Sequence, residues 1–246
     1  STDVLIKNIF GEVGPVKIKD GDLKLKLDSE ILLESNFATT IKHDGKSINF
    51  KNLSNIHKYF KNIINLEAEL NNSFLINLDE TYKIKKYDYK NKGKIIKLNF
   101  DFIKPLESNF LVEKIKKISL INSEIKMNFN SKKNITAIAG KYSLNEGNFL
   151  LFDLENITKE ALLKLKLNAD YDKPIELNFI NYQKQKDVVA NFSLNLEKKI
   201  DNIKIKKINY IEGKNSIFAE DIKFYKDRFL SFKKISIKTN KKGKKN

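Results

Sequence analysis

The chain of 246 residues contains no cysteine and no tryptophan, and it has only two histidines, three prolines and one methionine. The absence of cysteine excludes disulfide bonds, thiolate catalysis and cysteine-based zinc sites. The two histidines, His43 and His57, leave almost nothing from which a zinc site or a histidine-based catalytic triad could be built. These absences point away from the commonest enzyme chemistries.

Long hydrophobic runs are missing as well. Runs such as Phe149 to Phe152 are short, whereas a membrane helix needs about 20 apolar residues. No signal peptide, glycine-rich phosphate loop, metalloprotease motif or nucleophile elbow is visible. Acidic pairs such as Glu67 with Glu69 and Asp79 with Glu80 stand among lysines and are interpreted as solvated surface. We therefore predict a protein that is not an enzyme and has no catalytic residue, metal site or cofactor.

Negative charge is in short supply, since the formal net charge is +16 and the sequence pI is about 9.6. Such a balance usually indicates an anionic partner. However, Arg228 is the only arginine. Arginine dominates base and phosphate recognition because its guanidinium group donates two parallel hydrogen bonds. We interpret the lysines chiefly as a solubilising surface, with an anionic surface or nucleic acid as the alternative partner.

The dominant pattern is alternation of apolar and polar residues, as in the run from Leu23 to Asp28. This period of two places alternate side chains on opposite faces of a sheet. Asp20-Gly21-Asp22 is interpreted as a hairpin turn between two such runs. Further predicted links are Asp44-Gly45-Lys46, Asn71-Asn72, Asn91-Lys92-Gly93, Asn130 to Asn134, Asn145 to Asn148, Asp172-Lys173-Pro174 and Glu212-Gly213-Lys214. Their spacing predicts consecutive antiparallel strands.

The predicted fold class is mainly β: a long antiparallel meander forming a curved sheet or β-groove, with a β-sandwich as the alternative. One or two short helices are expected. Ser54 to about Glu69 has helical spacing, Glu107 to Lys117 fits helix or strand, and Thr158 to Ala161 fits one turn. We expect one repetitive β domain over 1–246, an internal segment of a longer protein, with a disordered tail over 241–246.

The apolar face of such a sheet must be covered, either by lipid tails in a groove or by a second sheet that makes a dry core. Both possibilities stay open from the residues alone. The predicted lining consists of Leu23, Leu25, Leu27, Phe74, Ile76, Leu78, Phe100, Phe102, Ile125, Met127, Phe129, Phe152, Leu165, Leu167, Phe179, Phe192 and Leu194. The phenylalanines share the apolar phase of their strands, which argues against nucleic-acid stacking. Tyr82, Tyr87, Tyr89 and Tyr182 lie near turns and lysines and are expected to be exposed.

Several of the predicted strands have a recognisable sequence pattern. It includes Lys141-Tyr142-Ser143-Leu144-Asn145, Phe149-Leu150-Leu151-Phe152-Asp153-Leu154, Ala190-Asn191-Phe192-Ser193-Leu194-Asn195-Leu196 and Lys233-Lys234-Ile235-Ser236-Ile237-Lys238. On the basis of these segments, most of the chain resembles the AsmA-like family of bacterial envelope proteins, in particular the YhdP branch. The resemblance implies a non-catalytic periplasmic β-groove that carries phospholipid and serves outer-membrane biogenesis. It also implies flanking segments of the same longer chain and an inner-membrane anchor in a segment not in this chain.

Overall fold

The structure is a computed structural model and describes residues 2–28, 30–45 and 63–239. Its elements are β1 (Thr2–Val13), β2 (Val16–Leu27), β3 (Ile31–His43), β4 (Ile63–Leu78), β5 (Ile84–Leu106), β6 (Ile115–Asn130), β7 (Asn134–Leu144), β8 (Leu150–Lys159), β9 (Leu162–Tyr171), β10 (Ile175–Leu177), a 3-10 helix (Asn178–Ile180), β11 (Tyr182–Lys184), β12 (Ala190–Lys199), β13 (Asn202–Glu212), β14 (Asn215–Tyr225), β15 (Arg228–Ser231) and β16 (Lys234–Lys238).

Fourteen of these strands form one antiparallel sheet in which chain order is almost the same as spatial order. β1 to β9 follow one another, β12 joins β9, and β13 and β14 continue the meander. β15 and β16 both lie along β14, while β10 and β11 form a separate two-stranded ribbon. The predicted long antiparallel meander is confirmed.

The large sheet is a single layer within the described residues. Its strands contact their neighbours in the sheet, and the accessible surface of the chain is 16775 Å². A compact protein of this mass would expose about 11,000 Å². Among the residues that the structure describes, the large sheet therefore does not pack on a second large sheet, so they form a curved sheet and not the alternative β-sandwich.

Bulges curve the sheet because an extra residue bends and twists a strand. Ile96 on β5 and Asn122 on β6 are extra residues that lie opposite each other. Lys206 on β13 is a further extra residue, and it lies opposite Asp221 on β14. Asn122 and Asp221 have positive φ values of 47° and 54°, a conformation that these short polar residues tolerate well.

Three predicted links are wrong because they lie inside strands. Asp20-Gly21-Asp22 is part of β2, Asn71-Asn72 is part of β4, and Asn91-Lys92-Gly93 is part of β5. At the first, Asp20 adopts a φ of 51° in an irregularity of the β2–β3 pairing, so the sequence makes a bulge where a turn was expected. The remaining predicted links that the structure describes fall at strand ends.

The helix predictions also need correction. Residues 63–69 belong to β4, and the earlier part of that predicted helix lies outside the described residues. Residues 107–114 form an irregular loop that leads into β6. Glu160 and Ala161 form the two-residue link between β8 and β9. In the described part of the chain, the only helix is the three-residue 3-10 helix; the predicted disordered tail over 241–246 lies outside that part.

Candidate functional site

One face of the sheet carries most of the apolar side chains of the strands, because neighbouring strands pair in phase. Leu167 on β9 lies between Leu154 on β8 and Leu194 on β12. Leu194 in turn lies opposite Ile208 on β13, which pairs with Ala219 on β14. We call this the apolar face; the opposite face carries most of the lysines.

Sixteen of the seventeen predicted lining residues lie on strands of the large sheet in this phase. These are Leu23, Leu25, Leu27, Phe74, Ile76, Leu78, Phe100, Phe102, Ile125, Met127, Phe129, Phe152, Leu165, Leu167, Phe192 and Leu194. None of them is buried; each keeps part of its side chain accessible. Phe179 does not follow the pattern. It lies in the 3-10 helix, where Asn181 adopts a left-handed conformation, and its side chain is 72% exposed.

The aromatic rings on this face pack sideways against each other. Ring centroids are 6.2 Å apart for Phe37 and Phe74, 5.7 Å for Tyr142 and Phe152, and 5.2 Å for Phe100 and Phe102. Such edge-on pairs stabilise a sheet within its own layer. All six rings keep part of their surface accessible in the described part of the chain.

A small polar cluster interrupts the apolar face between β3 and β5. The Asn72 amide donates to Thr39 Oγ1 at 3.1 Å, and Tyr89 OH and Asn91 Nδ2 each lie 2.7 Å from Asn72 Oδ1. Burial raises the pKa of Tyr89. The cluster was missed from the sequence because Asn72 and Asn91 carry the signal of a turn. Since buried amides need their partners, it fixes the register of three long strands.

The ribbon of β10 and β11 covers one end of the apolar face, and we call residues Ile175–Lys184 the cap. Tyr182 of the cap is buried against Ala190 and Tyr210 of the sheet. Its hydroxyl lies 2.7 Å from Tyr210 OH and donates to Glu212. The expectation that Tyr182 is exposed is therefore wrong, as it is for the half-buried Tyr89, whereas Tyr82 and Tyr87 are exposed.

The loop between β5 and β6 contacts the cap at the same end of the apolar face. The Glu176 amide donates to Phe110 O at 3.1 Å, and Leu111 forms an isolated bridge with Ile175. One end of the apolar face is thus covered by two separate segments. The links that the structure describes at the opposite end are short, such as Asp79 to Lys83, Ser131 to Lys133 and Glu160 with Ala161. The two ends of the sheet are therefore unlike.

Lys184 is the most unusual residue of the cap, since its side chain is fully buried. Its Nζ donates to Gln185 O at 3.0 Å and lies 5.7 Å from the centre of the Tyr171 ring. Burial lowers the pKa of Lys184, although Asp172 and Glu212 act in the opposite direction. The cost of burying the ammonium thus outweighs the attraction of the nearby carboxylates.

We expect Lys184→Met to stabilise the protein, because methionine fills similar space without a buried charge. A gain of about 1 kcal/mol in the free energy of unfolding is expected at neutral pH. Chemical denaturation followed by tyrosine fluorescence would measure it, with Lys186→Met, an exposed neighbour, as the control. A loss of stability in Lys184→Met would show that the ammonium is a net stabilising group of the cap.

The opposite face of the sheet is a network of exposed and half-exposed ion pairs. Lys166 lies 3.1 Å from Glu155, and Glu197 receives both Lys164 at 3.2 Å and Lys206 at 2.8 Å. Hydrogen bonding from Lys206, together with Lys164, lowers the pKa of Glu197. Exposed pairs of this kind contribute little to stability. The arrangement is that of a solvated surface.

The structure provides no arrangement for a metal site in its described part, which contains no cluster of three or more histidine, cysteine or acidic side chains. His43 is buried, with Nε2 3.2 Å from Ile63 O, and His57 lies outside the described residues. None of the described helical structure is long and apolar enough to cross a membrane. Comparisons with protein-family models, curated proteins and solved structures find no match for this chain.

Proposed function

We propose that the apolar face binds the acyl chains of phospholipids, and that the chain is a non-catalytic groove element of an AsmA-like protein. The observation that carries this proposal is a largely apolar face that extends over the large sheet and remains half-exposed in the described residues. Soluble proteins rarely leave an apolar patch larger than a few hundred Å² uncovered. An occupant that covers this face is therefore expected.

Acyl chains suit the face physically. They are flexible, so they can follow a curved sheet, and each buried methylene contributes about 0.8 kcal/mol. The face is long in the strand direction, since β5 spans 23 residues. A chain of methylenes lying along such strands would contact apolar side chains throughout, whereas a small polar ligand would find few partners.

The charge of the protein supports phospholipid over neutral lipid. The positive charge of a chain whose net charge is +16 comes almost entirely from lysines, and on this proposal the lysines at the margins of the apolar face attract anionic headgroups. On this proposal the chain acts in the periplasm, in phospholipid transport and outer-membrane biogenesis. It would be joined to flanking segments and to an inner-membrane anchor outside the given sequence, as the family resemblance implies.

The test is to purify the chain and extract it with organic solvent. We expect phospholipid to co-purify and a fluorescent phospholipid to be taken up by the delipidated protein. In both cases acyl chains would remove the apolar face from water. Mass spectrometry of the extract and a fluorescence titration provide the two readouts. A clean extract together with no uptake would contradict the proposal. Salt-dependent binding of nucleic acid in a filter assay would instead favour the lysine-rich face.

A further inference from the structure

A row of mostly polar side chains crosses the apolar face from β4 to β8. Its members are direct cross-strand partners and share the phase of the apolar residues on their strands. They are Asn72 on β4, Asn91 on β5, Met127 on β6, Thr136 on β7 and Asn156 on β8, and we call them the polar row. Acyl chains offer no hydrogen bonds to amides or hydroxyls, and a buried polar group without a partner costs free energy. Acyl chains alone therefore do not account for the polar row.

The hydrogen bonds of the polar row fix the orientation of Asn91. Asn72 Nδ2 lies 3.2 Å from Phe37 O and 3.4 Å from Leu70 O, and a carbonyl oxygen can only accept. Asn72 Oδ1 is therefore the acceptor of the second contact, and Asn91 Nδ2 donates to it at 2.7 Å. This leaves Asn91 Oδ1 buried without a donor among the described residues, in a side chain of a residue that is 3% exposed.

A second acceptor of the same kind lies on β8. Asn156 Oδ1 is also buried without a donor in the part of the chain that the structure describes. Thr136 and Met127 separate it from Asn91 along the polar row. Buried acceptors without partners are uncommon in folded proteins, so two of them in one row indicate a missing donor. Met127 is unbranched and adapts its shape easily, so a ligand group can enter the row between the two amides.

The polar row lies towards the uncapped end of the apolar face. Asn156 is near the end of β8 and Thr136 is near the start of β7, beside the short links of that end. From Asn156 towards the cap, the same face of β8 presents Leu154, Phe152 and Leu150 over about 20 Å. The face therefore offers hydrogen-bond acceptors near one end and an apolar length that leads to the other, which is the arrangement of polar and apolar parts in a phospholipid.

We propose that the polar row binds a phospholipid headgroup that donates hydrogen bonds, with the acyl chains directed towards the cap. This inference rests on the proposed function and adds which phospholipids the apolar face selects. The ammonium of phosphatidylethanolamine and the hydroxyls of phosphatidylglycerol can donate to Asn91 Oδ1 and Asn156 Oδ1. The trimethylammonium of phosphatidylcholine has no N–H or O–H group, so it leaves both acceptors unpaired and binds through its acyl chains alone.

Displacement of a fluorescent phosphatidylcholine, labelled on its acyl chain, measures this selectivity. The competitors are short-chain phosphatidylethanolamine, phosphatidylglycerol and phosphatidylcholine with identical acyl chains, each used below its aggregation concentration. We expect at least one of the two donor lipids to bind about tenfold more tightly than phosphatidylcholine, because it pairs acceptors that otherwise stay unpaired. Tighter binding of phosphatidylethanolamine alone identifies the ammonium as the donor, and tighter binding of phosphatidylglycerol alone identifies the hydroxyls.

Asn91→Leu and Asn156→Leu each remove one acceptor from the polar row. Each should lower the preference over phosphatidylcholine by about threefold or more and leave the affinity for phosphatidylcholine unchanged, because the apolar face is retained. Asn168→Leu makes the same change at an exposed position on the opposite face of β9 and should keep the preference of the wild type. If Asn91→Leu does not fold, because it also loses the contact with Asn72, then Asn156→Leu carries the test.

The possible failures of the two proposals are distinct. Equal binding of all three lipids by the wild type, or a preference that survives in both polar-row variants, would overturn headgroup selection and leave acyl-chain binding in place. Binding of none of the three lipids, together with no uptake of the fluorescent lipid, would contradict the proposed function itself and headgroup selection with it.

Discussion

Leu194→Glu should strongly weaken lipid uptake, whereas Asn195→Glu should leave it unchanged. The two residues are neighbours on β12 but point to opposite faces. Leu194 lies between Leu167 and Ile208 on the apolar face, so a carboxylate there would meet only apolar groups. Asn195 lies between Lys166 and Lys207, which would pair with a new carboxylate. We expect at least a roughly tenfold loss of affinity for Leu194→Glu.

The comparison separates lipid binding from folding. Leu194→Glu should also lower the free energy of unfolding by about 2 kcal/mol, and Asn195→Glu should change it by less than about 0.5 kcal/mol. Fluorescent phospholipid titration and circular dichroism measure the two effects. If Leu194→Glu does not fold, Leu194→Asn provides an uncharged polar substitute. Equal uptake by the Leu194 and Asn195 variants would exclude the apolar face as the lipid site.

Alkaline conditions should unfold the capped end of the sheet. Burial is the main cause that raises the pKa of Tyr210 to about 12, and burial with nearby Glu113 raises that of Tyr171 to about 12. Burial also raises the pKa of Tyr142 and Tyr182. A tyrosine in the unfolded chain loses its proton near pH 10, whereas these folded tyrosines keep theirs. Stability is therefore constant with respect to these groups below pH 10 and falls above it.

The size of this effect follows from linkage. Between about pH 10 and 12 the folded state binds one more proton per such tyrosine, so each lowers the free energy of unfolding by about 1.4 kcal/mol per pH unit. Tyr210→Phe should make this pH dependence shallower by one proton. Urea denaturation at a series of pH values measures it, with Tyr225→Phe, an exposed position at the opposite end, as the control. An unchanged slope in Tyr210→Phe would show that this phenol titrates without coupling to folding.

The sequence predicts the sheet and its two faces because the period of two is a local property. A run such as Leu163, Leu165 and Leu167 specifies which side chains share a face without any knowledge of the partner strands. Curvature and the absence of a second layer could not be predicted in the same way. They depend on positions such as Asn122 and Asp221, whose positive φ values distort their strands and which resemble ordinary polar positions in the sequence.

The turn signals misled the prediction for one physical reason. Asn and Gly favour turns, but they also suit the interior of a long sheet where strands bulge or pack closely. Gly93 has the backbone of Glu69 and Leu70 against the position of a Cβ, so only glycine fits there. The cap could not be predicted either. Tyr182 and Tyr210 lie far apart in the sequence, and only the fold brings the two tyrosines together.

The strictly sequential order of the strands has a consequence for how the protein folds. Because the strands of the sheet contact the strands beside them, stability approximates a sum of strand energies and nearest-neighbour energies, as in solenoid repeats. Any hairpin can serve as a folding nucleus, and further strands can then add to it on both sides. Unfolding should likewise advance from strand to neighbouring strand in steps. The cap, which ties the loop before β6 to strands β12 and β13, joins distant steps into one cooperative unit.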